Sequence, residues 1–204
     1  AIFSRISRKD KALFREKLQR FPQLSAVAVG NLGHLPIVEG LGLEVRGDFG
    51  LNVFNSRALA FLRELGLASA TVSFELRHQQ VRDLAKLLPC EGIVYGRLPL
   101  MVMENCITKN NVGCRHGAGS TLTDRTGAQF PVQCVYGCRN EIENSLPLFL
   151  ADKAEWRGCG LTSARLRFTT ETADECAAVL RRYRGEGDYA PEKYTRGLFY
   201  RGVE

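Results

Sequence analysis

The chain has 204 residues, of which 45% are apolar and 25% charged, with a formal net charge of +6. These proportions fit one globular domain or two small ones and exclude a low-complexity chain. No run approaches the roughly 18 apolar residues of a membrane span, and the first twenty residues lack the apolar core of a secretion signal, so a cytoplasmic protein without a membrane partner is expected.

Residues Ser4–Phe21 place Leu13, Phe14, Lys17, Leu18 and Phe21 at helical spacing, and Pro22 ends that helix. Ser25–Val29, closed by Gly30, Asn31 and Gly33, reads as a strand buried on both faces. Gly42–Asp48 is a second strand, continued or followed by Leu51–Asn55. Ser56 is the expected N-cap of a helix over Arg57–Leu65, which Gly66 ends. Ser69–Leu76 is a third strand, and Arg77–Leu88 a helix that Pro89 stops, with Val81, Leu84, Ala85 and Leu88 inward. Glu91–Met101 is a fourth strand, Ser163–Glu171 a fifth, and Ala173–Tyr183 the last helix. The tail Gly185–Glu204 is either a packed extension or a partly ordered arm.

Strands alternating with helices of this length make βα units and a parallel sheet with right-handed crossovers. The fold class is α/β. Five strands build an open sheet or part of a (β/α)₈ barrel, since a complete barrel takes about 250 residues. The expected organisation is βα units over 1–104, a cysteine-bearing irregular insertion over 105–150, and a last βα unit with a C-terminal arm over 151–204. Strand C-termini carry the sites of parallel α/β folds, so the insertion is where chemistry is expected.

That insertion holds Cys106, Cys114, Cys134 and Cys138, spaced x7, x19 and x3. No CxxC pair occurs, which excludes the usual zinc-ribbon and ferredoxin spacings. Thiolates from irregular loops still converge on a metal in other proteins, and Arg115 and Arg139 favour the thiolate form. The same residues also suit plain buried thiols. Cys90, Cys159 and Cys176 read as isolated packing residues. His34, His78 and His116 show no pairing at ligand spacing. Asp124, Arg125 and Gly127 form a turn signal, and Glu75 sits near the end of the third strand, where a barrel places acids at its mouth.

Over most of residues 43–202 the chain resembles peptidase family U-32, the collagenase-like proteins, in the subgroup with a long C-terminal extension; the runs Leu51–Leu59 and Thr71–Leu76 match its penultimate barrel strands. Glu91, Gly96 and Cys106 stand at positions of the family signature, with Pro99 in place of its first cysteine. Asp124, Arg125, Gly127, Phe130 and Pro131 match its Asp-Arg-Gly-Phe-Pro segment, and the runs Cys138–Ser145 and Tyr194–Gly202 match later elements. The resemblance implies the C-terminal half of a (β/α)₈ barrel that lacks its N-terminal half or takes an oligomer partner. It implies a [4Fe–4S] cluster on Cys106, Cys114 and Cys138, with Cys134, a residue of a missing part or an open iron site in the fourth place, and oxygen-independent hydroxylation of RNA bases or ubiquinone precursors with a small oxygen-donor acid such as prephenate. Arg97, Arg125 and Arg139 are then anion-binding candidates, since a guanidinium fork matches carboxylate or phosphate, and Glu75 the barrel-mouth acid. Two other readings stand beside this one: the collagenase-like protease of the family label, for which the sequence offers no HExxH or nucleophile elbow, and a non-catalytic RNA-binding or scaffold fragment.

Overall fold

The apolar runs and their punctuation fold as βα units around a parallel sheet. The computed structural model describes residues 8–113, 120–135 and 139–203. They fall into two units: residues 8–93, 154–165 and 197–203 form one, and the described residues of 94–153 and 166–196 the other.

Unit one contains the parallel strands β1 (Ala26–Val29), β2 (Glu44–Gly47) and β3 (Ser69–Thr71), the start of β4 (Cys90–Gly96) and the start of β10 (Ser163–Arg167). They lie in the order β1-β2-β3-β4-β10 and curl into a half-barrel. Its helices are α1 (Arg8–Gln19), α2 (Leu35–Val38), α3 (Ser56–Glu64) and α4 (His78–Asp83). Side chains alternate across each strand. Val29, Ala70, Val72 and Cys90 therefore bury one face in a core with Ile37, Leu59, Leu62 and Val81 from the helices. The register sets Ala28 beside Arg46, Arg46 beside Ser69, and Thr71 beside Glu91 on the opposite face.

Three local expectations shift. The N-cap of α3 is Asn55, whose Oδ1 accepts the Ala58 N–H at 2.9 Å; the hydroxyl of Ser56 instead accepts the Ala85 N–H. The third strand stops at Thr71, because the Ser73 hydroxyl accepts the Glu75 N–H and turns the chain. Helix α4 ends at Asp83 rather than Leu88: Leu84 leaves helical geometry at ψ 130°, and the Lys86 ammonium takes up the carbonyls of Val81, Arg82 and Leu84.

Unit two contains the end of β4, β5 (Pro99–Met103), α5 (Ile107–Val112), β6 (Ser120–Thr123), β7 (Gln129–Val135), β8 (Arg139–Glu143), β9 (Leu148–Phe149) and α6 (Ala173–Arg184). The run Glu91–Met101 is two strands, not one. The chain breaks at Gly96, with φ +113°, where an added Cβ would lie 1.9 Å from the Arg167 carbonyl oxygen. Only glycine fits there. The segment expected to be irregular is largely an antiparallel sheet in the order β5-β8-β7-β6. Its strands bury Val132 and Ile142, half-bury Phe130 and Val135 and expose Thr121 and Thr123, and the Asp124 turn joins β6 to β7.

A single arginine fastens β8 to β10. Arg167 forks onto both oxygens of Glu143 at 2.8 and 2.9 Å, reaches Glu141 at 2.6 Å and donates to the Arg97 carbonyl at 2.6 Å. Helix α6 opens on a capping box between Thr172 and Glu175. It buries Val179 against Tyr95 and Phe149. The Tyr183 hydroxyl donates to the Val94 carbonyl at 2.6 Å and accepts the Leu150 N–H at 3.0 Å. The tail is packed: Thr195 pairs with Leu148 and Arg196 with Asp152 in unit two, while the Phe199 carbonyl accepts the His78 N–H in unit one. Among the described residues no helix is long and apolar enough to cross a membrane.

Candidate functional site

The cysteine-bearing face of unit two is assembled by strand register. Antiparallel neighbours share a face, so the pairs Met103–Asn140 and Cys134–Asn140 put Met103, Asn140 and Cys134 in one row. Helix α5 lies over this row. The Asn140 Oδ1 accepts the Ile107 N–H at 2.7 Å, and the hydroxyls of Thr108 and Ser120 bond at 2.9 Å. Cys106 is the N-cap of α5, and its buried Sγ accepts the Lys109 N–H at 3.3 Å. Sulfur here takes the N-cap role that a side-chain oxygen usually fills. Asn140 thus links the two cysteines: one lies across the ladder from it, and the other immediately precedes the N–H that it accepts.

Asn140 is 1% exposed, and its Nδ2 has no hydrogen-bond partner among the described residues. Cys134 is half-buried. The predicted ligands Cys114 and Cys138, like His116, lie outside the described residues. Among the described residues no three His, Cys, Asp or Glu side chains are grouped to hold a metal ion. The soft sulfur donors and the orphaned amide N–H beside them fit a sulfur-rich metal group, in which hydrogen bonds to sulfur are part of the design.

Two of the three arginines proposed as anion ligands have protein partners. Arg97 donates to the carbonyls of Asn144 and Ser145 and to the Thr170 hydroxyl, which clamps the segment after β8. Arg139 pairs with Glu104 at 2.9 Å. Arg125 is exposed at the tip of the β6–β7 turn. Asp124 builds that turn, accepting N–H groups of Thr126 and Ala128 and the Thr126 hydroxyl. The Thr126 hydroxyl bond is the largest cause that holds its carboxyl below the ordinary range. Glu75 follows β3 in unit one and is half-buried. Cys90 and Cys159 are buried in unit one, and burial pushes both thiols up. Cys176 lies half-buried on α6.

Unit one carries a second polar cluster that the sequence alone does not single out. On the face of the parallel sheet away from its helices, Arg165 pairs with Asp48 and with Glu91, each at 2.5 Å. Thr71 donates to Glu91 at 2.9 Å. Arg46 pairs with Glu44 on the same face. Ala26, Ala28, Ser69 and Ser163 leave a cavity of about 260 Å³ beside Arg46, Glu91 and Arg165. The signal is present as alternation: Glu44-Val45-Arg46-Gly47-Asp48 and Ser163-Ala164-Arg165 put a polar residue at every second position of a strand. Glu91, a member of the motif at the start of the fourth strand, is here one partner of Arg165.

No family model, curated protein or solved structure matches the chain.

Proposed function

We propose that this chain is the cluster-bearing part of an oxygen-independent hydroxylation enzyme of the U-32 type, acting on RNA, with its half-barrel part of a (β/α)₈ barrel. The observation that carries this reading is the placement of Cys106 and Cys134 about the buried amide of Asn140, on a sheet that sequence alone left irregular. In this reading Cys106 and Cys134 hold a [4Fe–4S] cluster together with Cys114 and Cys138. When bound, the cluster supplies one-electron transfer.

The protein's own residues have definite tasks in this scheme. Cys106 presents its sulfur at the start of α5, where it accepts the Lys109 N–H. Asn140 fixes the start of α5 against β8 and so sets the position of Cys106 relative to Cys134. Burial of Cys106 and Asn140 keeps water from that side of the group. The net charge of +6 supports an RNA substrate through phosphate contacts. The polar cavity beside Arg46 is the place in unit one for a small acid, with Ser69 and Ser163 as hydrogen-bonding neighbours.

The test is anaerobic expression with iron and sulfide, followed by absorbance and iron determination. A broad band near about 400 nm and about four irons per chain are expected. Cys106→Ala and Cys134→Ala should each remove most of that iron while the protein stays folded. A folded, iron-free wild-type chain would sink the proposal and favour a scaffold whose cysteines pack as ordinary small residues. With iron present and a small oxygen-donor acid such as prephenate supplied as the source of the oxygen atom and the two-electron oxidant, RNA incubated without O₂ should gain one oxygen atom on a base, read by mass spectrometry of nucleosides.

A further inference from the structure

Asn140 is a polar residue with half of its chemistry accounted for. Its Oδ1 accepts the Ile107 N–H at 2.7 Å, which fixes the amide orientation, because the flipped amide would set two N–H groups against each other. That orientation leaves Nδ2 with two N–H donors and no partner among the described residues, in a side chain 1% exposed. A buried unpaired amide costs about 1–3 kcal/mol in ordinary interiors, so such groups are rare without a reason. If Asn140 only capped α5, an aspartate, serine or threonine would do so without the surplus donors. The row it occupies names the missing acceptor. Its cross-strand neighbours are Cys134 and Met103, and its amide oxygen holds the residue after Cys106. Both of these cross-strand neighbours carry sulfur.

We infer that Asn140 is a positioning and tuning residue that donates an Nδ2–H hydrogen bond to a sulfur of the metal group held at Cys106 and Cys134; this rests on the reading of that site as a cluster site. The donor withdraws electron density from the sulfur, so it favours the reduced group and raises the reduction potential. Asn140 touches no substrate in this scheme. Its effect is read in the potential.

The experiment uses the full chain, anaerobically reconstituted with iron and sulfide, in three forms: wild type, Asn140→Asp and Asn140→Ser. Aspartate keeps the oxygen that caps α5 and loses the N–H groups. Serine loses the N–H groups without adding charge. A redox titration followed by absorbance is expected to show both variants harder to reduce. At the wild-type midpoint the reduced-to-oxidised ratio should fall about tenfold, a shift of about 59 mV for a one-electron couple. Far-UV circular dichroism of Asn140→Asp should match wild type. A second readout needs no variant: with ¹⁵N-amide-labelled asparagine, pulsed electron paramagnetic resonance of the reduced group should detect a nitrogen coupling that Asn140→Ser removes. Iron-loaded variants with the wild-type potential overturn this inference and leave the cluster reading standing. A shift in Asn140→Asp alone reports added charge and also overturns it. A folded wild type that takes up no iron overturns both.

Discussion

The ion cluster around Glu143 gives the sharpest test of how unit two holds together. Glu143 is 1% exposed, and Arg167, at 16%, contacts it through both guanidinium nitrogens. Replacing Glu143 with leucine removes two charge-assisted hydrogen bonds and leaves a largely buried guanidinium. Breaking a buried pair from one side costs about 3–5 kcal/mol. Arg167 keeps Glu141, 14% exposed, and the Arg97 carbonyl, so the lower end, about 3 kcal/mol, applies. With a urea slope of about 2 kcal/mol/M, the unfolding midpoint should fall by about 1.5 M at an unchanged slope. Glu143→Gln keeps one acceptor but turns an amide N–H toward the guanidinium, and should cost about 2 kcal/mol. The paired change Glu143→Leu with Arg167→Met removes both charges together, so its cost should be smaller than the two single costs added, by about 1–3 kcal/mol. The reasoning fails if Glu143→Leu costs under about 1 kcal/mol, or if the double change costs the sum of the singles.

Three further outcomes are expected. Gly96→Ala should cost at least about 3 kcal/mol, since a Cβ meets the Arg167 carbonyl at 1.9 Å and φ +113° suits only glycine; a wild-type melting temperature in this variant would refute that geometry. The Arg196 hydrogen bond is the largest cause holding the Asp152 carboxyl below its ordinary range. Its folded value is thus below its unfolded one, so the contribution is full above about pH 4 and lost as pH falls through the folded value. Asp152→Asn should accordingly be less stable than wild type from pH 5 to 7, by under about 1 kcal/mol for a partly exposed pair, and indistinguishable from it near pH 2. Equal gaps at both ends of that range would contradict the pairing. Cys90 and Cys159, whose thiols burial pushes up, should resist iodoacetamide at pH 8 in the native protein and react in urea. Native labelling at a free-thiol rate, followed by peptide mass spectrometry, would show that burial does not protect them.

The parallel strands are legible because small and β-branched runs such as Ala26–Val29 and Cys90–Gly96 sit between helical stretches with clear stops. Helix ends are less so. Lys86 carries no helix-breaking signature, yet its ammonium takes the carbonyls of Val81, Arg82 and Leu84, and α4 ends early through these local side-chain contacts. The break at Gly96 is visible as a glycine but not as a strand end. What decides it is the approach of the Arg167 backbone, seventy-one residues on in the sequence.

The two polar clusters differ in the same way. Cysteines announce themselves by residue type, so Cys106 and Cys134 stand out from the sequence alone. Asn140 does not, because an asparagine among Arg139 and Glu141 reads as loop chemistry. Strand pairing turns it into a buried donor between sulfur neighbours. Arg165 is the parallel case: in sequence it is one basic residue among 28, and only the sheet order places it against Asp48 and Glu91. Arg97 and Arg139, chosen because guanidinium groups bind anions, turn out to spend their donors on the protein's own carbonyls and Glu104. Arg46 lines the cavity while pairing with Glu44 where both are about half exposed. An exposed pair of that kind contributes about 0–1 kcal/mol, so a carboxylate ligand can displace Glu44 at little cost, whereas the better-sheltered Arg165 is held by two carboxylates. Among these arginines, Arg46 is therefore the side chain on which a search for a small acid ligand should begin.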